Sequence, residues 1–292
     1  MFDFKNYVKA DSVHQAIQLL QAHPGAHLIA GGTDVLIKLH KGKIDPPCLI
    51  DIHDVAELDS VRRTDIGDIV IGSGTRFTTV AESSVILEHL PVLATAVLTI
   101  GGPQVRNMAT IGGNLCNGVP SADSASPLIA LNAGLTIEGP KGRRELALED
   151  FFLGPGQVAL KPAEILTAIT IKKDNFEGYA GHFYKYAMRH AMDIATIGCA
   201  AVCKVEDGQM RDLRLAFGTA APVPIRCRLT EEKASDCTVS RDMLADIAES
   251  VWQDVNPRSS WRATKDFRLQ IISTLAERVV RQAILNAGGN VP

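Results

Sequence analysis

Apolar and polar positions along the chain predict three successive units of mixed helix and strand. In the first unit, apolar residues recur at helical spacing through VHQAIQLLQAH (13–23), behind the capping residue Ser12 and ahead of a break at Pro24–Gly25. Two short apolar runs, HLIA (27–30) and CLIDI (48–52), have the length of strands. The pattern predicts a small α/β subdomain over residues 1–54.

The second unit, residues 55–176, mixes strand and helix patterns. A strand is predicted at DIVIGSG (68–74), helices near 78–98, an irregular glycine-rich tract over 101–126 and a helix near 123–133. The segment LTIEGPKGRRELAL (135–148) predicts a hairpin, because Gly139, Pro140 and Gly142 mark a turn between two strand-like runs. EILTAITI (164–171) predicts a last strand, which completes a second α/β subdomain.

The third unit, residues 177–292, begins with strands and ends with helices. Two strand-like runs, 181–208 and 209–227, are joined by a predicted turn at Asp207–Gly208. Helices are predicted over 241–254 and about 262–286, the latter ending at Gly288–Gly289. Sheet followed by helix predicts an α+β domain at the C-terminal end, and the chain as a whole is predicted to be α+β.

Composition excludes several classes of protein. Apolar residues make up 46% and charged residues 22%, a globular balance, and a net charge of −3 with both signs interspersed offers no basic face for nucleic acid. The N-terminal segment lacks the features of a signal peptide, and no apolar run reaches the roughly 18 residues of a membrane span. We expect a soluble, cytoplasmic protein.

The six cysteines do not predict a metal or redox site. No Cys-x-x-Cys and no His-Glu-x-x-His motif occurs. Cys199 and Cys203 are four residues apart, which places them on one face of a strand, and we interpret them as small core residues rather than as a redox pair. No metal ligands are therefore predicted.

Two glycine pairs are the candidate ligand-binding motifs. Gly31–Gly32 interrupts HLIAGGTDVLIKLH (27–40), and Gly112–Gly113 interrupts NMATIGGNLCNG (107–118). Glycine permits close approach to the backbone, and consecutive N–H groups bind anions. Each pair alone is typical of a turn, whereas the two together favour a shared diphosphate ligand.

A third glycine motif, Gly72-x-Gly74, is not a dinucleotide fingerprint. Such a fingerprint needs a third small residue for close packing of helix on strand, and Phe77 occupies that position. We predict turn glycines here, with Thr75 or Thr78 capping a helix. No glycine loop continues into Gly-Lys-Ser/Thr, which excludes a P-loop.

The glycine loops and several other segments resemble the FAD subunits of molybdenum hydroxylases, a family that includes bacterial xanthine dehydrogenase and aerobic carbon monoxide dehydrogenase. AGGTD (30–34) and TIGGN (110–114) are similar to the two flavin-diphosphate loops of that family. GPQVRNMATIGGNL, PSADSASPL, EILTAITI and FYKYAMRHAMDIATIG follow in the same order, so the resemblance runs from about residue 4 to 287. NPRSSWRATKDFR (256–268) is most similar to the xanthine dehydrogenase branch.

The resemblance implies a fold and a set of residues that hold the cofactor. The fold is that of the vanillyl-alcohol oxidase and p-cresol methylhydroxylase flavoproteins, with noncovalent FAD between two α/β subdomains and a C-terminal domain over it. The implied FAD-binding residues are Leu28, Ile29, Ala30, Gly31, Gly32, Thr33, Asp34, Val35, Ile100, Thr110, Ile111, Gly112, Gly113, Asn114, Asp123, Leu166 and Lys185.

Individual roles also follow from the resemblance. Asp123 would accept a hydrogen bond from a hydroxyl or ring donor of the cofactor, and Leu166 and Lys185 would lie near the flavin ring. Ile194 matches the position that shields one flavin face, where some carbon monoxide dehydrogenase relatives carry tyrosine. No side chain is implied as a catalytic residue, because flavin carries the chemistry.

The implied role is an electron relay. A molybdenum-binding large subunit would hydroxylate substrate, a small subunit with [2Fe–2S] clusters would pass the electrons on, and FAD in this chain would deliver them to NAD+. The alternatives are the FAD subunit of another member of the family, such as a carbon monoxide dehydrogenase or an N-heterocycle hydroxylase, a scaffold without flavin, or a self-contained flavin oxidase.

Overall fold

The computed structural model describes residues 4–291. The first part of the chain forms a small three-stranded parallel sheet with two helices. The strand order is β1–β3–β2. The elements are β1 (Tyr7–Lys9), α1 (Val13–Ala22), β2 (His27–Ile29), α2 (Val35–His40) and β3 (Leu49–Asp51). Ser12 caps α1 by accepting the N–H of Gln15, as its sequence position predicts. The sequence pattern did not reveal β1.

The second sheet has five antiparallel strands in the order β4–β5–β10–β6–β7. The elements of this part of the chain are β4 (Val61–Arg63), β5 (Ile69–Gly72), α3 (Phe77–Glu82), α4 (Ser84–His89), α5 (Pro91–Leu98), α6 (Pro103–Met108), α7 (Ile111–Cys116), α8 (Ala125–Ala130), β6 (Gly134–Gly139), β7 (Gly142–Ala147), β8 (Phe152–Gly154), β9 (Gln157–Val158) and β10 (Ile165–Ile171). Strands β8 and β9 pair with each other as a separate two-stranded sheet. The predicted hairpin is β6–β7, and the strands predicted at 68–74 and 164–171 are β5 and β10.

The third sheet has four antiparallel strands in the order β11–β12–β13–β14 and is followed by helices. Its elements are β11 (Ala180–Tyr186), β12 (Ile197–Glu206), β13 (Gln209–Gly218), β14 (Ile225–Arg226), α9 (Arg228–Ala234), α10 (Arg241–Ser250) and α11 (Lys265–Asn286). Asp207 and Gly208 both have positive φ, at 51° and 73°, which is the turn predicted between β12 and β13. The division of the chain at residues 54 and 176 stays a prediction.

Strand β12 is buried on both faces, and this joins the third sheet to the rest of the molecule. Cys199 and Cys203 belong to the core shared with α10 and α11, whereas Ala200 and Val202 belong to the core of the second sheet and its helices. This alternation follows from the two-residue period of a strand. The interpretation of the cysteines as core residues is confirmed, and the second and third parts of the chain share one continuous core.

Two predictions about the local structure are wrong, and one helix was not predicted. The tract 101–126, predicted to be irregular, contains α6 and α7, whose helices begin at the N1 proline Pro103 and at the cap residue Thr110. The run 181–208 is not one strand but two, because residues 187–196 leave the sheet between β11 and β12. Helix α9 was not predicted, since its seven residues are too few to show a clear period.

The predicted threonine cap of α3 is also wrong. The N-cap is Arg76, which makes no side-chain cap bond. Thr75 is buried and donates its hydroxyl hydrogen bond to the carbonyl of Ser60, at 3.1 Å, and Thr78 donates to Asn107 Oδ1 at 2.6 Å. The Thr75 hydroxyl therefore binds the segment before β4 and the Thr78 hydroxyl joins α3 to α6, and neither caps the helix terminus.

The described residues contain neither a membrane-spanning helix nor a cluster of metal ligands. Among residues 4–291 no helix is both long and apolar enough to cross a bilayer. Within the same residues no group of three or more His, Cys, Asp or Glu side chains is arranged to hold a metal ion.

Candidate FAD site

The first glycine loop, residues 30–35, connects β2 to α2 and carries unbonded N–H groups. Gly32 has a φ of 71°, which glycine adopts without strain, and its carbonyl accepts the N–H of Leu36 at 3.0 Å. The backbone N–H groups from Gly31 to Val35 have no acceptor among residues 4–291. Consecutive free donors of this kind form a site for an anion.

The second glycine loop, residues 110–114, differs because the four N–H groups of residues 111–114 are already bonded. The N–H groups of Ile111 and Gly112 donate to the carbonyls of Thr75 and Ser73, at 3.0 and 2.8 Å. Thr110 accepts the other two, from Gly113 through its hydroxyl at 3.1 Å and from Asn114 through its carbonyl at 3.0 Å. These four N–H groups are therefore not free to donate to an anion, so residues 111–114 shape the site, and their contact with a diphosphate stays a prediction.

Close backbone contacts explain two of the glycines. A Cβ added to Gly31 would lie 1.8 Å from the carbonyl oxygen of Met108, and one added to Gly112 would lie 2.5 Å from Cβ of Ser73. Neither distance is possible for a real side chain. Gly31 thus brings the first loop against the segment that leads into the second, and Gly112 seats the second loop against β5.

Side chains extend this contact around the site. Lys38 of α2 donates to Asn117 Oδ1, 2.5 Å away at the end of α7. Asn114 in the second loop accepts a hydrogen bond from the hydroxyl of Ser124 at 2.7 Å. Ser124 follows Asp123, so the two glycine loops and the acidic residue form one connected group.

Asp123 forms a buried ion pair with Lys185. Lys185 Nζ lies 2.7 Å from Asp123 Oδ2, and 8% of each side chain is exposed. The ammonium group also donates to the carbonyl of Thr99 at 3.0 Å. Lys185 and Phe183 are two residues apart on β11, so their side chains point to the same face of the third sheet. Because Phe183 packs in the core of the second sheet, the side chain of Lys185 also faces the second part of the chain.

One oxygen of Asp123 has no partner. Oδ1 is buried and accepts no hydrogen bond from any described residue. Burial raises the pKa of Asp123 to about 6, although the charge and the hydrogen bond of Lys185 lower it. Because an unpaired buried acceptor is costly, this oxygen is ready to accept a hydrogen bond from a ligand donor.

Comparison with known proteins identifies the family. Residues 2–172 match the FAD binding domain in molybdopterin dehydrogenase, and residues 182–283 match the C-terminal domain of carbon monoxide dehydrogenase flavoproteins. The xanthine dehydrogenase FAD-binding subunit of Escherichia coli O157:H7 is 47% identical over 291 residues, 100% of both chains. This chain belongs to the family of FAD-binding subunits of molybdopterin dehydrogenases.

Other relatives agree with this assignment. The carbon monoxide dehydrogenase medium chain of Hydrogenophaga pseudoflava is 30% identical over 278 residues, which cover 95% of this chain and 96% of the relative. A solved structure of carbon monoxide dehydrogenase from that organism, lacking the Mo-pyranopterin moiety of its cofactor, superposes with a TM-score of 0.93 at 28% identity, over 98% of this chain and 99% of the other. The predicted flavoprotein fold is confirmed.

The residues present fit an FAD. The free N–H groups of the first loop suit the negative charge of a diphosphate, and Asp123 Oδ1 suits a hydroxyl or ring N–H donor. The contacts through Met108, Asn114 and Ser124 hold these two features in one connected region. The loop can therefore bind the anionic diphosphate of FAD, and the unpaired carboxylate oxygen can accept a hydrogen bond from another part of the same cofactor.

Ile100, Leu166 and Ile194 lie around this region but their contacts with the cofactor stay predictions. Ile100 is half-buried and follows Thr99, the carbonyl partner of Lys185. Leu166 is buried in the main core, and the next residue along β10 accepts the N–H of Ser73, which touches Gly112. Ile194 is half exposed in the 187–196 segment, which reaches Gly102 through Met192.

Sequence reasoning missed several residues that build the site. Thr99 and Met108 act through their backbone carbonyls, so their side-chain types carried no signal. Ser73 is also a backbone contact, although it lies between Gly72 and Gly74, which mark close approach of another segment. Lys38 was visible on the polar face of α2, but its partner Asn117 is 79 residues away.

Proposed function

We propose that this chain is the FAD-carrying electron-transfer subunit of a xanthine dehydrogenase-type molybdenum hydroxylase in the cytoplasm, with NAD+ as the electron acceptor. The observation that carries the proposal is the buried Asp123–Lys185 pair with its unpartnered oxygen, placed beside a loop of free N–H groups. A scaffold that had lost its cofactor would not be expected to retain both features, because each is costly without a ligand.

The residues proposed to hold FAD divide by function. Residues Leu28 to Val35 surround the diphosphate, with the free N–H groups of Gly31 to Val35 as its donors, and Thr110 to Asn114 shape the space beside it. Asp123 accepts from a cofactor donor, and Lys185 keeps that carboxylate ionised and places a positive charge near the ring. Ile100 and Leu166 contribute apolar contact, and Ile194 covers one face of the ring.

The chain's own residues bind and orient, and the redox chemistry is supplied by the cofactor. A bound flavin supplies the exchange between single electrons from iron–sulfur clusters and the hydride that NAD+ accepts. Lys185 favours the reduced form of the ring because a nearby cation stabilises negative charge in a low-dielectric site. The side chain of Ile194 leaves space for an acceptor where an aromatic ring would cover more of the face.

The proposed partners are a molybdenum-binding large subunit and a small subunit with [2Fe–2S] clusters. The relatives are described as a FAD-binding subunit and as a medium chain, which supports a place for this chain in a heteromeric enzyme. Purine as the substrate class is supported by the 47% identity over the full length to the xanthine dehydrogenase subunit. The alternative is another hydroxylase of the family, since relatives near 30% identity are named for carbon monoxide and glyceraldehyde.

The test uses the chain alone and in complex with its partner subunits. We expect the purified chain to show a flavin spectrum with one FAD per chain, released by denaturation. The complex should reduce NAD+ when given xanthine or hypoxanthine. A complex that oxidises these purines with a dye but never reduces NAD+ contradicts the proposed acceptor. Failure to oxidise purines, with turnover of another substrate, supports the alternative hydroxylase, and a chain that binds no FAD refutes the proposal.

A further inference from the structure

Three arginines gather in the segment that leads into α11. Arg258 and Arg262 precede the helix, and Arg268 is in its first turns. Arg268 is 5% exposed and is held in place, because its guanidinium donates to the carbonyl of Thr196 and to Ser260 Oγ, the latter at 3.0 Å. Arg268 is therefore the buried member of the group, whereas Arg258 is exposed and Arg262 is partly exposed.

The positive charge of this arginine cluster (Arg258, Arg262 and Arg268) is poorly compensated. None of the three forms an ion pair within 4.0 Å in the described part of the chain, and the buried Nε atoms of Arg262 and Arg268 lack a partner there. Burial and the charges of the other two arginines lower the pKa of Arg268. Arginines that repel one another and lack carboxylates form a site that attracts an anion.

The carboxylate of Asp193 interacts electrostatically with Arg262 of this cluster but does not neutralise the cluster. Burial raises the pKa of Asp193, and the N–H groups of Ile194 and Arg189, with the charges of Arg189 and Arg262, bring it below its ordinary value. Asp193 already accepts the backbone N–H of Arg189 and lies 3.8 Å from its guanidinium. It therefore also balances a fourth arginine, so most of the positive charge of the cluster remains.

An aromatic surface lies within the cluster. Trp261 is 77% exposed, and the guanidinium of Arg262 stacks on its ring, 4.2 Å from the ring centroid. Exposed tryptophan is unusual in a protein surface and is enriched where a ligand or a partner binds. A flat ring stacked with one guanidinium, with the charge of Arg258 close to Arg268, is an arrangement that suits a nucleotide, because the base stacks and the phosphates pair with arginine.

The cluster is connected to the candidate FAD site. Arg268 donates to Thr196, whose own N–H donates to the carbonyl of Tyr186 at 2.8 Å, and Tyr186 follows Lys185 on β11. The segment 187–195 leaves the sheet between these two points and reaches Gly102 on the other side through Met192. The arginines and the residues proposed to surround the flavin thus flank the same segment.

We propose that Arg258, Trp261 and Arg262 bind the nucleoside diphosphate part of the dinucleotide acceptor, with the base stacked on Trp261 and the diphosphate paired with the two guanidiniums. The proposal rests on the proposed function, because the acceptor is taken to be a pyridine dinucleotide. The buried Arg268 positions this site through Thr196 and adds to its positive potential.

The binding test uses ADP-ribose and the full-length chain. Trp261 becomes the only tryptophan in a Trp252→Phe background, since the chain has two. We expect ADP-ribose to quench its fluorescence to saturation. The double variant Arg258→Gln/Arg262→Gln should raise the Kd by at least about ten-fold, because it removes both charged partners of the diphosphate. Arg281→Gln, exposed on the same helix about 20 Å away, should leave the Kd unchanged.

A second measurement keeps the proposal separate from the acceptor assignment. In the complex with partner subunits, the double variant should raise the KM for NAD+ by the same factor and leave reduction of the flavin by substrate unchanged. Trp261→Ala, compared with Trp252→Ala, repeats the test without altering charge. Saturable binding of ADP-ribose to a wild-type complex that never reduces NAD+ refutes the proposed acceptor and leaves the nucleotide site standing.

Three outcomes overturn the nucleotide site. One is the absence of saturable quenching by ADP-ribose in the wild-type chain. Another is NAD+ reduction with an unchanged KM in a folded double variant. The third is loss of a partner subunit from the double variant while its affinity for ADP-ribose is unchanged, which would assign the arginines to a protein interface.

Discussion

The affinity of the chain for FAD should fall as the pH falls from 7 to 5, and Asp123 should be the cause. The structure leaves Oδ1 of this carboxylate buried without a donor, and its pKa is about 6. A cofactor donor bonds more strongly to the ionised carboxylate than to the acid, so binding FAD favours loss of the proton. At a pH below 6 the chain must release that proton when FAD binds, and the affinity declines.

The magnitude follows from the pKa. At pH 7 about nine-tenths of Asp123 is ionised, and at pH 5 about one-tenth, so the affinity should fall about ten-fold over this interval. Asp123→Asn keeps the shape and an acceptor oxygen but cannot ionise, so its affinity should not depend on pH through this group. At pH 7 the variant should bind FAD about 10- to 100-fold more weakly, because it exchanges a charged hydrogen bond for a neutral one and leaves Lys185 without a counterion.

The assay is titration of the flavin-depleted chain with FAD at several pH values, monitored by flavin fluorescence, for the wild type and Asp123→Asn. Glu231→Gln is a matched control, because Glu231 is also a buried carboxylate paired with an arginine, Arg226, but lies away from the glycine loops. Burial raises the pKa of Glu231, as it does that of Asp123. If wild type and Asp123→Asn lose affinity equally between pH 7 and 5, the assignment of Oδ1 as the cofactor acceptor is wrong.

Three further predictions concern the loops, the flavin face and the isolated chain. Gly32→Val and Gly113→Val should lose most of their flavin, because Gly32 has a positive φ and an added Cβ there would lie 3.0 Å from Leu36 Cδ1, and an added Cβ at Gly113 would lie 2.9 Å from Thr110 Oγ1. The control Gly208→Val has a similar positive φ in an open hairpin and should retain its flavin. Full flavin occupancy in both loop variants would contradict the assignment of the loops. Ile194→Tyr should slow NAD+ reduction more than reduction of the flavin by the partners, which stopped-flow absorbance of the two half-reactions measures; equal slowing would remove the proposed role. The isolated flavin-loaded chain should show no turnover of xanthine or hypoxanthine with any acceptor, so sustained turnover without a metal-bearing partner would disprove the relay.

The sequence predicted the parts of this structure that depend on local chemistry. The Ser12 cap of α1, the Asp207–Gly208 hairpin and the alternation that buries Cys199 and Cys203 are set by residues within a few positions of one another. The two glycine pairs were recognised for the same reason. The failures at α6 and α7 have a local cause as well, since each helix is only six residues long and α7 contains two glycines, so that no apolar period is visible.

The interior of the site could not be predicted from pattern alone. Asp123 and Lys185 are 62 residues apart, and nothing local indicates that they pair. The bonded state of the second loop depends on carbonyls of Ser73 and Thr75, which only the fold brings near. The resemblance to a family supplied the residues, and the structure adds which of their atoms are already bonded and which are available.

The Asp123–Lys185 pair makes the cofactor site depend on how the third sheet sits against the second. Asp123 comes from the second part of the chain and Lys185 from the third. The same two parts are joined elsewhere by hydrogen bonds from Arg214 to the carbonyl of Asn175 and from Arg226 to the side chain of Asn132. These contacts and the core shared through β12 restrict relative movement, because buried arginines lose their partners if the sheets separate. The ion pair at the candidate FAD site is therefore held in place by contacts that lie outside the site.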